Sequence, residues 1–529
     1  MRPLATSLAV LACLTALLPP HTAGAEQADK KRDAAAKAHK PKFTISKETT
    51  YVTGPLDKDG YIDYAAALNK RLSQGVTPAN NANVLLWQAL GPQPDGKKMP
   101  AEFFELMGTK PPPERGEYFV DLYRYIIEHA KVDGYEDRKK IYDQIDPTRH
   151  RPWTPQQYPR IASWLKVNEK PLALVLEATR RPVCFSPLVP SKSDKGSSGL
   201  LGAFIPPGMQ KCREMVNALT ARAMLHAGQG RREEAWQDLL ACHRLARLLG
   251  SGPTLIEGLV GVAIDSITVE ADLALLASTD LSKKQIEDCL HDLQKLPPIR
   301  KPAAQVDVGE RFLFLDIVMM AARRGPEYLE PFSGLGWPNI PDATAKKFWN
   351  TIDWGPTMRT GNQWYDRLVA AMRVKDRASR ETELDKLETD FKMLKKKLAD
   401  SPLNEADLTK EPAKTLSKAL GDILLTMFFP AVRRVQQSAD RAEQMQNNLY
   451  LAFALAAYQR AHGRYPAKLE ALVPKYLAEI PVDLFSGKPL TYRPSKDGYL
   501  LYSVGVNGRD DEGRGPLDDP RGDDLSVRM

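Results

Sequence analysis

Cysteine and histidine are scarce in this chain, with five and eight residues among 529. No Cys-x-x-Cys and no His-Glu-x-x-His occurs, and Cys242-His243 and Cys289-x-His291 lack partners at metal spacing. That excludes the common zinc and dithiol patterns. Gly-x-Ser-x-Gly is missing too, and with it the usual nucleophile turn of serine hydrolases. Ser163-Trp164-Leu165-Lys166 matches Ser-x-x-Lys without the companion motifs of penicillin-binding enzymes. Gly91 and Gly96-Lys97 approximate a phosphate-cradling loop, yet Lys98 stands where Ser or Thr would hold magnesium, and Pro92 and Pro94 remove amide donors. Net charge is low as well: +8 from 74 basic and 66 acidic residues. Together with a basic tract in which no aromatics are interleaved among the lysines apart from Phe43, this argues against a nucleic-acid partner.

Apolar runs are equally few. The longest, Leu4 to Leu18, follows Arg2 and precedes the small residues Ala23-Gly24-Ala25, the pattern of a secretory signal peptide over 1–25. No other segment approaches 18 uninterrupted apolar residues, so the chain is expected to have no transmembrane segment once the signal is cleaved. A periplasmic or extracellular protein is the expectation. Residues 26–50, with Lys30, Lys31, Arg32, Lys37, Lys40, Lys42 and Lys47, read as a disordered basic linker.

What the chain has in quantity is helical periodicity. With 43% hydrophobic residues it can bury two or more cores, and its length suggests about three domains. Residues 51–430 read as a helical body with a possible sub-boundary near 182–208, where Ser191 to Gly199 is rich in Ser, Lys and Gly. Helices are predicted at Tyr61–Leu72, Ala82–Leu90, Ala101–Met107, Glu117–Lys131, Ile161–Ala178, Thr254–Ala277 and Val306–Ala322. Met209–Ala227 and Arg232–Leu249 form an αα-hairpin around Gly228-Gln229-Gly230-Arg231. Its Ala223, Ala227-Gly228, Gly230, Glu234-Ala235-Trp236, Leu239 and Ala241 resemble one tetratricopeptide-type repeat. In that hairpin Cys212 falls within a helical turn of the position opposite Cys242, which permits a disulfide. Trp337, Trp349 and Trp354 form either a partner surface or a satellite core. Leu384, Leu387, Phe391, Leu394 and Leu398 repeat over two heptads, too few for a self-standing coiled coil.

The last hundred residues change character. Val432, Val435, Ala439, Ala442, Leu449, Phe453 and Ala456 share one stripe of a long helix, predicted from Ala431 to His462 and stopped by Gly463 and Pro466. Arg433, Arg434, Gln437, Asp440, Arg441 and Gln444 fall off that stripe. Two strand candidates follow, Pro481–Tyr492 and Tyr499–Val504, separated by Lys496-Asp497-Gly498. The order Tyr465-Pro466, Pro481, Asp483, Gly487, Pro489, Tyr492, Gly498, Ser503-x-Gly505, Asn507-Gly508 and a Gly- and Asp-rich tail resembles the globular half of the major pseudopilin of type II secretion systems. Leu484, where that family usually has Pro, and Asn507, where it often has Asp, are departures. The resemblance implies a helix lying lengthwise on a short antiparallel sheet over 431–529. It also implies calcium in the acidic loop, carried over to Asn507, Asp511, Asp518 and Asp519. From charge alone, Gly505–Asp524 holds seven carboxylates against three guanidiniums. Such a loop must be screened, disordered or neutralised by a cation, and oxygen-rich donors outside the cytoplasm suit calcium.

The fold class read from the sequence is thus mainly α: a multi-helical, solenoid-like body followed by a small α+β, pseudopilin-like module. Two functions fit. One is an exported, non-enzymatic binding or scaffold protein with a protein partner in the cell envelope; the other is an exported hydrolase with acidic catalytic residues on scattered loops.

Overall fold

A computed structural model describes residues 43–190, 192–193, 196–197, 199–203, 207–329, 349–400, 412–429 and 432–529. The segment read as a signal peptide, the part of the expected linker up to residue 42 and Trp337 lie outside the described residues. The fold is mainly α with a small antiparallel sheet. Nine helices of twelve residues or more are found among the described residues. They are α1 (Met209–Gly228), α2 (Arg232–Gly250), α3 (Leu255–Ser278), α4 (Lys283–Gln294), α5 (Arg311–Arg324), α6 (Trp354–Met372), α7 (Arg377–Asp400), α8 (Pro412–Phe428) and α9 (Val432–His462). Strands β1 (Lys192–Ser193) and β2 (Gly196–Ser197) make a two-residue ribbon. β3 (Thr491–Pro494), β4 (Tyr499–Ser503) and β5 (Leu525–Arg528) form a sheet in that order, with Thr491 opposite Tyr502 and Leu501 opposite Val527.

The α1–α2 hairpin turns where the glycines stand. Gly228 ends α1, and a Cβ there would come within 2.2 Å of the Trp153 carbonyl oxygen, so only glycine lets that strand of backbone lie on the turn. Trp153 is fixed to the same helix by its amide on Met224 O (3.2 Å) and its indole on Ala221 O (3.0 Å). α3 begins with a capping box, Thr254 with Glu257, and crosses α2 closely because Gly261 faces Gly250. The predicted disulfide does not form: all four described cysteines are free. Cys212 and Cys242 are both buried as free thiols.

Three other expectations are corrected. Ile161–Ala178 is two helices, Pro159–Val167 and Glu169–Ala178, because the buried Asn168 side chain is occupied by Val120: it accepts from Val120 N (2.8 Å) and donates to Val120 O (2.9 Å). Glu117–Lys131 is extended as far as Asp121, and a single α-turn then widens to a π-turn at Tyr125–His129. Of the linker read as disordered, residues 43–50 are packed, Thr49 and Thr50 being buried and Asn362 donating to Glu48 O and Thr49 O. Trp349 and Trp354 are buried against each other at 5.2 Å and serve as core. α7 packs inside the body through Leu384 and Leu387, with Phe391 on Trp364 and Phe429.

The long helix α9 organises the C-terminal half. It lies along β4 and β5, and it lies on α3 and α4 as well. Its apolar ends enter two different cores. Val432 and Val435 join a cluster built by α5, α6, α7 and α8, whereas Leu449, Leu451, Phe453 and Leu455 join the cluster of α1 to α4 and the sheet. Between those ends runs a buried polar belt of Gln436, Asp440, Gln444, Gln446 and Asn448. Asp440 and Gln444, assigned by spacing to the outer face, are therefore inside. α9 has no wholly solvated side in its middle, because the sheet covers what the helical body leaves open.

Asp440 is held by Arg380 and by Gln436 Nε2 (2.8 Å), with Arg377 at 3.6 Å. Removing one partner of a buried ion pair leaves the other charge unpaired, which typically costs about 3–5 kcal/mol. Asp440→Ala is expected to fall in that range by urea denaturation. Arg433→Ala, which breaks more exposed pairs to Glu381, Asp385 and Glu388, should cost about 1 kcal/mol. Equal losses would mean that the Asp440 pair is effectively solvated.

Candidate functional site

The acidic loop is folded by its own carboxylates. Asp523 Oδ2 accepts from Asn507 N (2.9 Å), and Asp511 Oδ2 accepts from Asp523 N (2.8 Å) and Asn507 Nδ2 (3.1 Å). Asp524 Oδ2 takes the amides of Gly513 (2.7 Å) and Asp511 (3.1 Å). Asp518 accepts from Gly515 N (2.7 Å) and pairs with Arg528 (3.0 Å), and Arg441 of α9 reaches Asp523. Backbone amides and arginines thus partner several of the loop's carboxylates, a solution that charge counting overlooked. The amide of Asp523 on Asp511 and the guanidinium of Arg528 on Asp518 hold both carboxyls below their usual range, while burial pushes Asp524 up.

Of the four residues assigned to calcium, Asn507 and Asp511 are brought together, Asp518 is turned to Arg528, and Asp519 is exposed before Pro520. No group of three His, Cys, Asp or Glu side chains converges as a metal site among the described residues. One feature suits a cation: Asp524 Oδ1 is buried without a hydrogen-bond partner. Beside the loop, Asp483 pins the first strand candidate into a turn. It accepts from Phe485 N, Ser486 Oγ, Ser503 Oγ and Val504 N at 2.7 to 3.2 Å. Regular pairing therefore begins only at Thr491, with an isolated bridge between Val482 and Pro489.

Sequence reading missed a second constellation, in the core between α2, α3 and α9. His243 is fully buried, with Nδ1 on Asp265 Oδ1 (2.8 Å) and Nε2 on Asp272 Oδ2 (2.6 Å). Arg247 bridges Asp265 to Gln446 Oε1 of α9. Burial alone would lower the imidazole, but the charge of Asp272 and the bonds to both carboxylates raise it to about 9. The signal was present: His243 and Arg247 are four apart, and Asp265 and Asp272 seven apart, on helices otherwise apolar on that face. Of the cluster only Arg247 borders a cleft, one of about 10 Å³ with room for no more than a water, so the arrangement is structural: a cation clamped between two anions. Glu257, Glu310 and Asp316 are likewise interior carboxyls, each pushed by burial to about 7 and each accepting from backbone at Thr254, Leu255 and Leu200 respectively.

A groove of about 360 Å³ lies where the C-terminal ends of α3 and α9 meet the β3–β4 turn. Leu276, Leu281, Ile286 and Ala456 line it, and Arg460, Arg464 and Lys496 stand around it with a single acid, Asp497. No paired carboxylates face it. Ser163, the one serine in a nucleophile-like motif, is spent on Pro159 O (2.9 Å). No protein family, no curated protein and no solved structure matches the chain.

Proposed function

We propose that this is an exported, non-enzymatic protein of the cell envelope, whose helical body holds a pseudopilin-like module and presents it to a protein partner. The observation that carries the reading is the seat of α9. Asn448 donates to Leu525 O (2.9 Å) and Gln444 accepts from Leu484 N (2.7 Å), while the helix also lies on α3 and α4. A module fixed in this way is displayed by the body. Hydrolysis by acids on loops is less well supported, because the strongly perturbed carboxyls are interior and the groove is rimmed by cations. Among the described residues no helix is long and apolar enough to cross a membrane.

The decisive experiment is fractionation of the native cell followed by mass spectrometry. The protein should appear in the envelope or medium with Glu26 at or near its N-terminus; intact Met1 in the cytoplasm would remove the proposal. Calcium belongs to the same reading, and Asn507, Asp511, Asp518 and Asp519 would hold it, Asp518 giving up its pair with Arg528. Millimolar calcium should then raise the melting temperature of the full chain by a few degrees through preferential binding to the folded state. An unchanged melt would leave the loop held by amides and arginines alone.

A further inference from the structure

We infer that the outer face of the second half of α7 binds the surface of an anionic phospholipid membrane. The inference goes beyond the reading above, which concerns the C-terminal module and its protein partner. What carries it is the division of charge along this one helix. In the first half every acid from Glu381 to Asp390 has its cation: Glu381, Asp385 and Glu388 hold Arg433, Glu383 pairs with Lys386, and Asp390 pairs with Arg367. The second half carries Lys392, Lys395, Lys396 and Lys397, all exposed and without an ion-pair partner among the described residues. Asp400 is the only acid on that stretch of the helix, and from α8 the half-buried Asp422 comes near Lys397. A cation in the last turn complements the helix dipole, which accounts for Lys397 but not for the three lysines before it.

The second observation is an exposed apolar side chain at the centre of this basic face. Met393 is 58% exposed. Lys392 with Lys396 and Met393 with Lys397 form adjacent rows four residues apart, so Met393 stands among the lysines. The helix turns this face away from Leu384, Leu387 and Phe391, the stripe that packs into the body. A fluid anionic surface suits such a face: phosphates meet the ammonium groups while Met393 and the lysine stems enter the acyl boundary. Clusters of about four or more basic residues on an amphipathic helix give this attraction. Nucleic acid fits less well, because the one aromatic of the stretch, Phe391, is spent on Trp364 and Phe429 and leaves nothing for a base to stack on. A folded acidic protein would have to wrap a convex helix face, whereas a bilayer deforms to it.

The test is co-sedimentation with large unilamellar vesicles at low salt, using the chain from Glu26 onward because the apolar run before it would enter any bilayer. Vesicles of phosphatidylglycerol mixed with phosphatidylcholine should bind the protein, and vesicles of phosphatidylcholine alone should bind it about tenfold more weakly or less. Added salt should weaken the first and leave the second unchanged. Lys392→Gln, Lys395→Gln, Lys396→Gln and Lys397→Gln together should weaken the anionic vesicles about tenfold or more and leave the melting temperature in place, since all four side chains are exposed. Met393→Trp should add an emission that moves to shorter wavelength on the anionic vesicles and not on the neutral ones, a signature that charge attraction alone would not give. Unchanged binding by the glutamine variant would put the contact elsewhere on the chain, in the basic linker for example, and overturns the inference. Equal binding of the two vesicle types overturns it too. So does capture of soluble polyglutamate or single-stranded DNA by the same lysines as tightly as of anionic vesicles.

Discussion

A chain that stops before Val432 will not melt cooperatively. α9 contributes Leu449, Leu451, Phe453 and Leu455 to the core of α1 to α4, all fully buried. At about 1.5–3 kcal/mol for each large buried apolar side chain, those four alone represent roughly 8 kcal/mol, comparable to the whole net stability of a typical domain. The loss does not end with burial area. Trp236 loses the Phe453 ring at 5.8 Å, Arg247 loses Gln446, and Arg380 is left buried without Asp440. Truncation after Phe429 should yield a species with helical far-ultraviolet dichroism, dye-binding apolar surface and no sharp transition. A truncated protein that melts cooperatively within a few degrees of the full chain would show that the body is self-sufficient.

The second large effect is alkaline. Glu257, Glu310 and Asp316 have folded-state values of about 7, above those of exposed carboxyls, so the stability they contribute is complete below about pH 4 and is lost as pH rises through 7. His243, raised to about 9, contributes stability that is complete below about pH 6.5 and is lost as pH rises through 9. Asp57, Asp121 and Asp265, whose values are lowered, act in the opposite sense, but only in acid. Of the groups that titrate near neutrality, His226, lowered by burial, opposes the trend. The balance from pH 5 to 9 is therefore a fall in stability, of the order of 3 kcal/mol for each fully expressed shift. Calorimetric melting temperatures should decline across that interval. His243→Gln should be less stable at pH 6 and should flatten the decline between pH 7 and 9. A melting temperature constant from pH 5 to 9 would mean that water reaches these groups.

The helices were largely legible because their signals are local. The hairpin was expected at Met209–Ala227 and Arg232–Leu249 and is found at Met209–Gly228 and Arg232–Gly250; α9 starts one residue from its expected place and ends at His462 as expected. Periodicity failed where a single side chain redirects the backbone. Asn168 divides one apolar stretch into two helices, and Asp483 bends a β-rich stretch into a turn. β5 was hidden in the acidic tail because only Val527 of its four residues is buried, which leaves no alternation to read. The His243 cluster and the polar belt of α9 were missed for a different reason. Spacing tells which residues share a face, but not that a second layer will cover the face opposite the first.

That covering gives the belt of α9 a role as a key for register. Leu and Ala recur along the helix at steps that would let it slip by one turn, about 5.4 Å, and still put apolar groups against apolar groups. The polar contacts allow no such slip. Asp440 meets Arg380, Gln444 meets the Leu484 amide, Gln446 meets Arg247 and Asn448 meets the Leu525 carbonyl, four addresses on four separate parts of the chain. A displaced helix would mismatch all of them at once, each at the cost of an unsatisfied buried group. The two apolar ends hold α9 in place; the belt decides which place, and so fixes the groove, the sheet and the acidic loop relative to the body.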